Sequence, residues 1–154
     1  MTDGAKPVAP EPVSRVFCCS ICNQVAGEVQ LLRPGARRPP TRTSGDRILA
    51  ELDEVTKRSG GNQGASFAVH TFFGTNSGPV SGAATADAVE AALWAGDAPA
   101  LHAICYAYAP FCCPECAAVY CGAHWRHRHF EDDRMGFSGI EGWCPKEHFH
   151  VLLY

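Results

Sequence analysis

The sequence predicts a small α+β domain whose distant chain ends are tied together by cysteine and histidine side chains. Three observations carry that expectation. The stretch Phe111 to His124, FCCPECAAVYCGAH, sets Cys113, Cys116, Cys121 and His124 within one short span. Two further pairs lie far from it, Cys19 with Cys22 near the start and Cys144 with His148 near the end. Between these pairs, alternating apolar runs that suit strands mix with periodic apolar stripes that suit helices, and 15 glycines and 11 prolines punctuate them with turns.

Paired spacing points to metal. The opening MTDGAKPVAPEPVSR has no apolar stretch of the signal-peptide kind, and no run approaches ~18 apolar residues. The expectation is therefore a cytoplasmic protein that does not enter the membrane. In a reducing compartment, CxxC and CxxH pairs favour metal over disulfides. Four pairs supply eight ligands, enough for two tetrahedral Zn2+ ions. Of nine cysteines, Cys18, Cys105 and Cys112 are left over. A chain of 154 residues with 46% hydrophobic content suits one domain with a modest core, so metal staples carry much of its stability.

In order along the chain, residues 1–14 are rich in proline and small residues and read as a disordered tail. A single zinc-binding domain is expected over 15–154, with 33–104 as an insert between the first and second ligand pairs. Val16-Phe17 and Glu28–Leu32 read as two strands of a hairpin turning at Cys19-Ser-Ile-Cys22, a turn that aims both thiolates at one ion. Arg33 to Gly45 is a loop by composition. Ser44 or Asp46 caps a helix to about Arg58, with Ile48, Leu49, Leu52 and Val55 on one stripe. Ser66 to Phe73 reads as a strand, with His70 a satisfied strand histidine. Gly74 to Gly82 reads as a loop, then Ser81 or Thr85 caps a helix that stops at Gly96. A second helix follows from Ala98 to Ala107, with Pro110 delivering the chain into the cysteine cluster. Gly122 to Asp133 has helical character, Met135 to Gly142 reads as a loop, and His148 to Tyr154 as a final strand.

The eight donors can be shared out in chain order, with the central four on one ion, or interleaved. Two adjacent pairs only four residues apart must fold back sharply to close on one ion. A pair at a helix start is better placed to complete a site begun by a distant hairpin, and the helix N-terminus stabilises its thiolate. The interleaved sites are Cys19, Cys22, Cys121 and His124 (site 1) and Cys113, Cys116, Cys144 and His148 (site 2). By residue type Cys18 can replace Cys19, Cys112 can replace Cys113, and His150 can replace His148, though only Cys19 and Cys113 give the two-residue spacer. His127 and His129 also lie near.

A hairpin knuckle with a helix-borne pair resembles a treble clef, and the interleaving resembles the cross-brace of RING, FYVE and AN1 zinc fingers. The local pattern is similar to AN1, with Cys19 and Cys22 as the first pair and Cys113 and Cys116 as the second. Cys121 and His124 form the third, preceded by the aromatic Tyr120, and Cys144-x3-His148 stands where AN1 has H-x-C. The resemblance implies an interleaved two-zinc, treble-clef-like core with a helical and stranded insert, and RING-like function would imply recruitment of a ubiquitin-type enzyme.

Two closed zinc sites point to a structural module that binds another protein, through the insert and through exposed aromatics near Trp125 and Trp143. An alternative is nucleic-acid binding through Arg33, Arg37, Arg38, Arg42 and Arg47, with Arg126 and Arg128. The net charge of −3 weighs against it. The third class is a hydrolase, built either on His124, His127 and His129 beside Glu131, Asp132 and Asp133, or on a thiol of Cys18, Cys105 or Cys112 with His70 or His102.

Overall fold

The computed structural model describes residues 8, 10–36 and 64–154. The helix expected up to Arg58 and the arginines Arg37, Arg38, Arg42 and Arg47 lie outside the described residues. The first layer is an antiparallel meander in the order β1 (Val13–Cys18), β2 (Val25–Leu32), β3 (Ser66–Thr71) and β4 (Gly74–Pro79). Side chains alternate across such strands, so Val29 and Leu31 of β2 fall on one face with Phe67 and Val69 of β3. They meet as cross-strand pairs, Val29 opposite Val69 and Leu31 opposite Phe67.

Helix α1 (Ala83–Ala95) packs on β1 and β2. It brings Ala86, Val89 and Leu93, spaced three and four residues apart, to its buried side. Gly82, not Ser81 or Thr85, holds its N-cap position, and no side chain caps it. Gly96, in the left-handed region at φ +66°, ends it as expected. Helix α2 (Ala98–Ile104) is capped by the Asp97 carboxylate, which accepts from the Ala100 N–H at 2.9 Å. It stops short of Ala107, and a 3-10 turn at Tyr106–Tyr108 completes the run.

The remaining strands are the short hairpin of β5 (Cys112–Cys113) and β6 (Ala118–Val119) and a three-stranded antiparallel sheet. That sheet holds β7 (Arg126–Asp132), β8 (Phe137–Trp143) and β9 (Phe149–Leu153). Here three expectations are corrected. Gly122 to Asp133 contains a strand, not a helix. RHRHFED offers no apolar stripe at helical spacing, and all seven of its residues find partners on β8. The stretches read as loops at Gly74–Gly82 and Met135–Gly142 supply β4 and β8. Their glycines mark close packing. A Cβ on Gly139 would meet the Phe130 ring and the Leu153 carbonyl, and one on Gly142 the Arg126 carbonyl and Leu152.

Trp125 is core, not an exposed contact residue. It is 3% exposed, and its indole N–H donates to the Phe111 carbonyl at 3.3 Å. Among the described residues no helix is long and apolar enough to cross a membrane. The result is a small α+β fold dominated by antiparallel sheet.

Arg33, at the end of β2, pairs with Asp87 at 2.7 Å and with Glu90, both on α1. The Asp87 partner is largely exposed, so the clamp is screened by solvent. Arg33→Ala is expected to lower stability by less than about 1 kcal/mol, with the difference shrinking in high salt. Urea melts at two ionic strengths measure it.

Candidate metal centres

Three local turns present the donors, and each contains one non-glycine residue at positive φ beside a donor. Asn23 (φ 61°) follows Cys22, Ala117 (φ 50°) follows Cys116, and Glu147 (φ 66°) precedes His148. That conformation is strained for side chains larger than glycine, and here it turns the backbone so that both donors of a pair face inward. In the first turn Cys19 N–H donates to the Gln24 carbonyl at 2.7 Å and Asn23 N–H to the Cys19 carbonyl at 2.9 Å. The Cys121–His124 pair sits on a single turn closed by His124 N–H to Cys121 O at 2.9 Å. The chain then leaves it as β7, not as the expected helix.

Ser20 brings the distant pairs together. Its N–H donates to the Val119 carbonyl at 2.8 Å, and its hydroxyl accepts from Val119 N–H at 3.2 Å. This docks the first turn on β6, two residues before Cys121. Nothing in the spacing marks Ser20. Its role appears only once the hairpin and β6 are adjacent.

The donors converge in two groups, Cys19 with Cys22, Cys121 and His124, and Cys113 with Cys116, Cys144 and His148. In each group the donor atoms lie within 4.8 Å of one another. The spacing of these atoms tests whether zinc fits. Tetrahedral zinc with Zn–S of about 2.3 Å and Zn–N of about 2.0–2.1 Å has S···S edges of about 3.8 Å and S···N edges of about 3.6 Å. In the first group Cys22 and Cys121 sulfurs are 3.6 Å apart, and His124 Nδ1 is 3.4 Å from Cys19 and 3.3 Å from Cys121. In the second, Cys116 and Cys144 are 3.7 Å apart, and His148 Nδ1 is 3.5, 3.3 and 3.5 Å from Cys113, Cys116 and Cys144. Each edge lies within about 0.3 Å of the zinc value. Three sulfurs and an imidazole are zinc chemistry too. Both groups can hold a Zn2+ ion.

The thiols are tuned unequally. Burial pushes Cys19 up, but N–H groups of Cys22, Cys121 and Ile21 outweigh it and bring it down to about 6. Burial likewise raises Cys116, but the Tyr120 hydroxyl, Cys113 and His148 pull it down to about 7. Cys113 is raised, by burial first and then by its thiol neighbours. A bound ion displaces the remaining protons. Tyr120 thus supports the thiolate form of Cys116. The aromatic before Cys121 is visible in the sequence, but its hydroxyl contact is not.

The spare residues separate from the donors. Cys18 is exposed on β1. Cys112 is fully buried, and burial pushes its thiol up to about 12, so it is an inert core residue. His150 lies beside Cys113 but outside the tetrad, with its Nε2 2.8 Å from Glu115. His127 and His129 fall on one face of β7, and neither joins His124 or the acids at Glu131–Asp133 in a donor group among the described residues. His70 Nδ1 is hydrogen-bonded to Thr75 Oγ1 at 2.9 Å, as a satisfied strand histidine. Arg126 and Arg128 stack on Trp143 at 5.1 and 5.3 Å and pair with Glu147 and Glu141, each at 2.6 Å. Their charge is met within the molecule, which works against a phosphate-binding role.

The model of one protein family, described as a Domain of unknown function (DUF8328), matches residues 12–153. No curated protein and no solved structure matches the chain.

Proposed function

The chain belongs to the DUF8328 family, and we propose that it is a two-zinc structural domain that works by binding another protein. The observation that carries this reading is the closure of both donor groups. Each offers four protein ligands, which leaves a tetrahedral ion no open position, so the ions hold the chain and do not act on a substrate. The ions would sit in site 1 and site 2, a reading supported by the convergence of those donors, with His124 and His148 both presenting Nδ1. Pairs one and three share an ion, as do pairs two and four, and that alternation supports a cross-brace likeness to RING, FYVE and AN1 fingers. The strand after His124 departs from the treble clef, in which a helix follows.

The zinc-held β1–β2 hairpin offers a contact surface. Val16 and Cys18 share the outward face of β1, Val25 lies across from Cys18, and Ile21 stands at the turn. Ile21 is 56% exposed and Val25 62%, unusual for aliphatic side chains clustered on one rigid tip. Such a patch suits an apolar pocket or groove on a partner protein. Introducing Ile21→Asp with Val25→Asp is expected to abolish capture of the partner from an extract of the native host, with zinc content and melting unchanged. Capture that survives the double change removes this reading. Binding to DNA or RNA that falls with salt would favour the nucleic-acid alternative.

A further inference from the structure

A second set of donors meets beside site 2, sharing Cys113 with it. Glu115 stands in the turn between Cys113 and Cys116, and His150 comes from β9. Glu115 Oε2 and His150 Nε2 each lie 3.5 Å from the Cys113 sulfur and 2.8 Å from one another. All three are electron-rich when Cys113 is a thiolate. The two 3.5 Å separations match the edges of a tetrahedral ion with one sulfur ligand, and the 2.8 Å one is that of a hydrogen bond.

Charge favours a cation at this point. A zinc ion with three thiolates and a neutral imidazole carries one net negative charge, and the Glu115 carboxylate adds another beside it. Among the described residues no lysine or arginine is paired with Glu115.

We propose that Cys113, Glu115 and His150 form a third metal site, reached from the side of the exposed Glu115, that takes a zinc-like divalent ion. The Cys113 sulfur bridges this ion to the one in site 2, using a second lone pair of the thiolate. Entry of the ion releases to water any proton held between Glu115 and His150 and parts them by about 0.5 Å, within reach of an exposed glutamate. Three protein ligands leave one tetrahedral position for water. This is the ligand count of catalytic zinc and not of structural zinc. The proposal rests on Cys113 being a ligand of site 2.

The test begins with protein shown to hold two zinc ions, then adds Co2+ and follows bound metal and the thiolate-to-cobalt absorption. Uptake of one further equivalent is expected, with that absorption and with the two zinc ions retained. Glu115→Gln and His150→Ala, made separately, are each expected to lose the third equivalent while keeping two zinc and the parent melting temperature. Zinc-loaded protein that takes up no further ion at large molar excess overturns the proposal, and so do variants that bind it as well as the parent. A starting protein without two zinc ions instead sinks the site 2 reading, so the two failures are distinguishable.

Discussion

Protein stripped of zinc is expected to unfold, and Cys121→Ser is expected to lose one ion and most of the stability of the whole chain. Site 1 joins side chains 105 and 99 positions apart, so its ion closes a loop that contains most of the fold. Closing so long a loop without a cross-link is entropically costly, and the metal bonds offset that cost. Structural zinc is worth about 10–16 kcal/mol in zinc-finger peptides, while a domain's net stability is about 5–15 kcal/mol. The metal term is therefore as large as the net stability of a typical domain. In the serine variant a hydroxyl replaces the thiolate, and the remaining donors must either share an incomplete ion or sit as partly buried thiols. Native mass spectrometry of protein purified without added metal is expected to show two zinc per chain for the parent and one for Cys121→Ser. Circular dichroism should show loss of the cooperative melt. Cys105→Ser, a change outside both donor groups, is expected to keep two zinc. A metal-free protein that melts like the parent would sink the reading of both sites as structural.

The donor groups were legible because metal geometry constrains spacing so tightly. A two-residue gap between donors implies one turn, and adjacent pairs cannot readily close on one ion; the helix start expected at Cys121 also favoured interleaving, although a turn and a strand stand there. The first hairpin, β3, α1 and β9 were legible for a different reason. Each carries an apolar period that survives tertiary context, as with Val29 and Leu31 on β2 or Ala86, Val89 and Leu93 on α1. Glycine misled at β4 and β8. In isolation it weakens a strand, but Gly139 and Gly142 lie where neighbours leave no room for a Cβ, and pairing on both sides of β8 outweighs propensity. The helix expected after Cys121 failed because the ligand turn invited one, while RHRHFED had no stripe to bury. Trp125, expected among exposed aromatics, is core. Its indole instead reaches the Phe111 carbonyl, a contact between residues fourteen positions apart that no local pattern encodes.

Phe111→Ala is expected to destabilise zinc-loaded protein by about 3–5 kcal/mol, among the larger costs a core truncation can bring. The ring is fully buried where the two halves of the fold meet. On one side it lies 5.5 Å from Phe17 of β1, and on the same strand pair it covers Gly27 of β2. Its own backbone is held by Tyr120 N–H at 3.1 Å and by the Trp125 indole, which come from the segment around Cys121. Removing the ring leaves a cavity bounded by a β-hairpin and a metal-held turn, neither of which is free to collapse into it. The companion change sharpens the argument. A Cβ on Gly27 would collide with the Phe111 ring, so Gly27→Ala alone should cost about 1–3 kcal/mol through overpacking. In the Phe111→Ala background that collision is gone, and the added methyl partly fills the space. The pair should therefore cost clearly less than the sum of the single changes, a coupling that two independent sites would not show. Guanidinium unfolding of the four proteins, each loaded with two zinc, measures it. Additive costs, or a loss under about 1 kcal/mol for Phe111→Ala, would mean that the ring is not the joint between the hairpin and the zinc-bearing half.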